Sequence, residues 1–82
     1  MTQLVPNGPA FRNGIFVKLS LRRSDGSWKQ SHFKNPQIAA QDGKRGMVVD
    51  SVYLGDRQCL YNIRISDDIE LNGIPEDCLI SL

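Results

Sequence analysis

Hydrophobic residues recur at every second position along much of this chain. Ile15, Val17, Leu19 and Leu21 alternate with Phe16, Lys18, Ser20 and Arg22, the pattern of a strand with one buried face and one wet face. Ser24-Asp25-Gly26-Ser27 follows, a tight-turn sequence in which glycine takes positive φ without steric cost. Trp28 to Lys34 then reads as the returning strand of a first hairpin, residues 16–34. Asn35-Pro36 ends it, because Pro36 has no N–H to give to a ladder. Gln37 to Gln41 reads as one helical turn or a loop, and Asp42-Gly43-Lys44-Arg45-Gly46 as a glycine-bracketed turn.

The second half is more regular. Met47 to Leu54, with Val48, Val49, Val52 and Tyr53, is a strong strand. Gly55-Asp56-Arg57 turns the chain, and Gln58 to Ile65 returns with Cys59, Tyr61, Ile63 and Ile65 on one face. Ser66-Asp67-Asp68 turns again. Ile69 and Leu71 make a short strand, Asn72-Gly73 a turn, Pro75-Glu76-Asp77 a one-turn helix start, and Leu79, Ile80 and Leu82 a closing strand. Five or six short strands at roughly 8–12-residue spacing predict an all-β fold, a small five- to six-stranded antiparallel barrel with one short 3₁₀ turn near the C-terminus. Pro6, Gly8 and Pro9 forbid a helix at the start. Residues 1–13 therefore read as a partly flexible lead-in that Leu4, Val5 and Phe11 can pin, and residues 14–82 as the single domain. The expected core is Val17, Leu19, Val48, Val52, Ile63, Ile65, Ile74 and Leu79.

The ending Gly73-Ile74-Pro75-Glu76-Asp77-Cys78-Leu79 resembles the closing segment of Src-homology-3-like barrels, where a glycine, an apolar residue and a proline precede a 3₁₀ turn and a final strand. The hairpin from Gly46 to Ile65 is similar in length and pattern to the central hairpin of such barrels. Peptide-binding members also carry an early Ala-Leu-Tyr-Asp-Tyr-type segment, a Trp on the middle strands and a Tyr after the closing proline. The first two have no counterpart here, and Cys78 stands at the third. The resemblance therefore implies the fold without the aromatic floor that grips polyproline ligands.

At 82 residues the chain has room for one core. No apolar run approaches the roughly 20 residues of a membrane-spanning helix, and the N-terminal residues lack a basic patch followed by an apolar stretch. These features predict a cytoplasmic protein with no membrane partner, in which Cys59 and Cys78 are unpaired core thiols. The net charge of +1 hides an asymmetry. Residues 1–46 carry eight Lys or Arg against Asp25 and Asp42, a net +6, while residues 47–82 carry Arg57 and Arg64 against seven carboxylates, a net −5. Such a division marks a nucleic-acid-binding face or a head-to-tail self-contact, unless strands from both halves interleave and mix the charges.

Chemistry-bearing motifs are few. His32, the single histidine, sits in Gln30-Ser31-His32-Phe33-Lys34 with no cysteine near in sequence, so no nucleophile–base pair is legible. Three scattered Cys and His do not make a structural zinc site. Asp67, Asp68 and Glu70 lack the spacing of a calcium loop, and Gly43-Lys44-Arg45-Gly46 lacks the rest of a phosphate loop. No catalytic residue, metal or cofactor is expected. A catalytic pore built by oligomerisation, as in plasmid-borne dihydrofolate reductases with their Val-Gln-Ile-Tyr stretch, has no such stretch here. The first hairpin carries the candidate binding surface: Arg22, Arg23, Trp28, Lys29, His32 and Lys34, with Lys18 and Phe33 beside them. Cations next to a stacking ring suit single-stranded nucleic acid. Alternatively, Arg22 or Arg23 packs over the indole and the lysines are solvated. The favoured reading is a non-catalytic module that binds a protein partner or its own copies. Nucleic-acid binding through the first hairpin is the alternative.

Overall fold

The computed structural model describes residues 11–55 and 58–82. Among these the strands are β1 (Phe16–Leu19), β2 (Arg45–Gly55), β3 (Gln58–Ser66), β4 (Ile69–Pro75) and β5 (Leu79–Ser81), with one helical turn, α1 (Pro36–Ala39). They form one antiparallel sheet in the order β4-β3-β2-β1-β5. β4 and β5 are its two edges and do not pair, so the expected barrel is an open five-stranded sheet.

The predicted alternation places the core on one face of this sheet. Val17 and Leu19 from β1, Val48 from β2, Cys59, Tyr61 and Ile63 from β3, Leu71 and Ile74 from β4 and Leu79 from β5 are all buried, joined by Leu21, Phe33 and Cys78. Each large side chain fully buried here contributes about 1.5–3 kcal/mol relative to exposure. Gly46 lies in the same layer opposite Val17. A Cβ built there would come within 2.5 Å of Ile63 Cγ2 and 3.0 Å of the Arg64 carbonyl, so β2 crosses β3 at a point where only hydrogen fits. Both cysteines are buried and unpaired. Burial and the neighbouring Asp77 charge push the Cys78 thiol up to about 12.

Among the described residues the ladders shift register at four places, and besides those near the hairpin ends, between Tyr53 and Gly55 and between Arg64 and Ser66, two bulges lie mid-strand. On β2, Val48 pairs Ile63 and Asp50 pairs Asn62, so Val49 is an extra residue and the facing of all that follows shifts by one. Ser51 and Tyr53 therefore share a face with Tyr61 and Cys59, and Val52 turns outward with 51% of its surface exposed. The expectation of a core Val52 is corrected by that one-residue shift. On β4, Asn72 and Gly73 bulge opposite Asn62, since Tyr61 pairs Ile74 and Ile63 pairs Leu71. Gly73 takes φ 70° and its N–H donates to Asn62 Oδ1 at 3.1 Å. The turn expected at Asn72-Gly73 is thus a bulge inside one continuous strand. Ile65, also expected in the core, is half-buried and packs against it.

The first hairpin is the largest correction. β1 already pairs β2 on one side and β5 on the other, which leaves it no edge for a returning strand. The Asp25-Gly26 turn does form, with Asp25 accepting the Ser27 N–H at 2.9 Å, but pairing stops at the single bridge between Arg22 and Trp28. Beyond it the chain coils into a 3₁₀ turn at Ser31–Lys34 that delivers Phe33 to the core. Asn35 Oδ1 then accepts the Gln37 N–H at 2.9 Å and Pro36 opens α1, the arrangement favoured at helix starts. A second 3₁₀ turn, Glu76–Cys78, joins β4 to β5. Of the lead-in, residues 1–10 with Leu4 and Val5 lie outside the described residues, as do Asp56 and Arg57 of the central turn. Phe11 packs edge-on against Tyr61 with ring centroids 5.5 Å apart.

Candidate functional site

The connection between β1 and β2 carries the six predicted surface residues, and it uses most of their polar atoms internally. The Arg22 guanidinium lies 4.1 Å from the centre of the half-buried Trp28 ring, and its Nε is 3.8 Å from Asp42 Oδ2. Asp42 also accepts the Leu21 N–H at 2.8 Å. Arg23 donates to the carbonyls of Trp28 at 2.8 Å and Lys29 at 3.4 Å, so it closes its own loop. Lys29 Nζ donates to the Asp77 carbonyl at 2.8 Å and ties the loop to the second 3₁₀ turn. His32 leans on Phe33 with centroids 4.6 Å apart, and Lys34 is exposed. Arg22, Arg23, Trp28 and Lys29 are therefore brought together, while His32 and Lys34 sit on a separate turn. The neighbouring Asp42–Gly46 turn is equally occupied: the N–H groups of Gly43 and Lys44 donate to the carbonyls of Leu19 and Gln41.

His32 borders an open groove of about 860 Å³ with Phe11, Leu60, Pro75 and Glu76. Below it the Tyr61 hydroxyl donates to Glu76 Oε1 at 2.7 Å and accepts the Phe11 N–H at 3.3 Å. Burial, reinforced by the bond to Glu76, pushes the Tyr61 phenol well above its ordinary range. The hydroxyl thus ties the Phe11 backbone to Glu76 beneath the groove. Among the described residues no three His, Cys, Asp or Glu side chains are grouped to hold a metal ion, and no helix is long and apolar enough to cross a membrane.

The outer face of the sheet is different in character. Phe16 and Lys18 alternate with buried Val17 and Leu19 and so point away from the core. Register places Met47 beside Phe16, and Arg45 and Ile80 on either side of Lys18. Phe16 is 60% exposed, Ile80 48% and Leu82 62%. Arg45 and Arg64 border a shallow pocket next to Phe16, above Gly46. No family model, curated protein or solved structure matches the chain.

Apart from Lys18, the residues of this face fall outside the candidate surface expected from sequence, although one signal for them is present there. In the alternation from Ile15 to Leu21, the position facing water next to Lys18 holds a phenylalanine. An aromatic on the polar face of a strand is a candidate contact residue, and buried Val17 and Leu19 on either side set Phe16 facing outward.

Proposed function

We propose that this chain is a non-catalytic protein-binding module that engages its partner through the outer face of the sheet at β1 and β5. The observation that carries the reading is the pair Phe16 and Ile80, large apolar side chains left in water on adjoining strands, with exposed Leu82 directly after β5. Apolar groups exposed together and rimmed by charge are the usual mark of an interaction surface. β5 adds to it, because its outer edge meets no described strand and leaves backbone donors and acceptors open to pairing. The non-catalytic part of the reading is supported by a histidine resting on Phe33 and by a Cys78 thiol whose ionisation is suppressed. Gly73-Ile74-Pro75 leading into the second 3₁₀ turn and β5 supports a Src-homology-3-like scaffold, opened between β4 and β5.

The test is site-specific photocrosslinking of the full chain in its host cells. A photoreactive phenylalanine analogue at Phe16 should give a discrete adduct with one polypeptide, identified by mass spectrometry, and the same analogue at Ser66 on the far turn should not. Equal adducts from both positions, or adducts with nucleic acid, would overturn the reading.

A further inference from the structure

The charges on this face identify the chemistry that covers it. Lys18 on β1 stands directly opposite Arg45 on β2, and both are exposed. Like charges at directly opposed positions of a sheet repel. Neither cation makes an ion pair with a described residue, the two such pairs being Arg22 with Asp42 and Arg64 with Glu70. Arg64 is only lightly committed: its Nη2 is 3.5 Å from Glu70 Oε1 and its side chain remains 52% exposed. Apolar Phe16 and Ile80 thus adjoin two opposed cations, Lys18 and Arg45, that no described carboxylate pairs, with Arg64 and its partner Glu70 farther along the same face.

We propose that the face accepts a partner segment combining apolar side chains with carboxylates, the apolar groups resting on Phe16 and Ile80 and the carboxylates lying between Lys18 and Arg45. The proposal rests on the reading of this face as a protein contact and adds the chemistry of the partner. A carboxylate placed there gains two attractions and also relieves the repulsion already present, so charge contributes to both affinity and specificity. A second copy docking through the same face about a twofold axis would bring this cationic group against its own counterpart, which disfavours it. Single-stranded nucleic acid favours several stacking rings along a basic track, whereas Phe16 adjoins Met47 and Ile80, neither of them a ring.

The experiment is selection of a random dodecapeptide display library on the immobilised full chain, with counter-selection on the Phe16→Ser/Ile80→Ser variant. The selected pool should be enriched in Asp and Glu together with Leu, Ile, Val or aromatic residues. A selected peptide should bind at least about tenfold more weakly to Arg45→Glu, with affinity falling as salt rises. Circular dichroism melting of each variant checks that the fold is retained. Enrichment of neutral or basic peptides that still depends on Phe16 would overturn the acidic partner and leave the protein-binding reading standing. Failure to enrich any Phe16-dependent sequence would overturn both. A dimer by light scattering that Phe16→Ser dissociates would replace the partner by a second copy, and an oligothymidylate complex tighter than any selected peptide would replace it by nucleic acid.

Discussion

Replacing Gly46 by alanine isolates the tightest contact in the sheet. The added methyl would lie 2.5 Å from Ile63 Cγ2, 3.0 Å from the Arg64 carbonyl oxygen and 3.3 Å from Ile65 Cγ1. Ordinary carbon–carbon contacts are near 3.5–4.0 Å, so the overlap with Ile63 is about 1 Å. Ile63 is fully buried and cannot swing aside, which leaves separation of β2 from β3 as the way to make room. Overpacking of this kind costs about 1–3 kcal/mol. Against it, alanine restricts the unfolded chain and returns about 0.4–1 kcal/mol. The expected net loss is about 1–2 kcal/mol, which lowers Tm by about 4–15 °C in a domain of this size. Urea unfolding followed by Trp28 fluorescence measures it, with an unchanged m-value showing that the transition is still two-state. Ile63→Leu removes the Cγ2 branch, so the double variant should lose at least about 0.5 kcal/mol less than the sum of the single losses. A Gly46→Ala protein as stable as wild type, or no coupling to Ile63→Leu, would refute the steric argument.

Two further predictions concern the groups beneath the groove and behind the second 3₁₀ turn. Tyr61→Phe removes the bond to Glu76 and leaves the Phe11 N–H without that acceptor, for an expected loss of about 1–2 kcal/mol in urea unfolding; a midpoint identical to wild type would show that water replaces the hydroxyl at no cost. Both Tyr61 and Cys78 hold their protons more tightly when folded, so the unfolded chain ionises first as pH rises through their ordinary values of 10.0 and 9.0. Their contribution to stability is complete below pH 9.0 and falls as pH climbs towards about 12, and a urea midpoint unchanged across that range would contradict it.

How far the fold was legible depended on what each strand needed from the rest of the chain. β2 and β3 follow one another across a short turn, so period-two alternation is enough to place them and to bury Val48 and Ile63, whereas β4 reads as cut at Asn72-Gly73 because a bulge there uses the same residues as a turn. The first hairpin failed for a reason that local sequence does not carry. Ile15 to Leu21 has a strand's alternation, but its partners are Arg45–Met47 and Leu79–Ser81, and those pairings leave Trp28 to Lys34 to coil. Val52 was misplaced because an inserted residue is invisible to a strict count of two. The candidate site divided similarly. Arg22 over Trp28 was among the arrangements legible from composition, whereas the opposition of Lys18 to Arg45 is a property of register that only the assembled sheet creates.

The two mid-strand bulges meet at one residue. Val49 on β2 and Asn72-Gly73 on β4 interrupt their ladders at the level of Asn62, from opposite sides of β3, and the Asn62 side chain bonds across the second of them. Because a bulge bends its strand and increases local twist, the coincidence acts as a crease running across the sheet. Below it lie Phe16, Lys18, Arg45 and Arg64; above it the β2–β3 hairpin carries Val52, Tyr53 and Leu54 out into solvent. The cationic face and the outer hairpin therefore do not lie in one plane, and a single partner surface that is flat would meet one of them and not both.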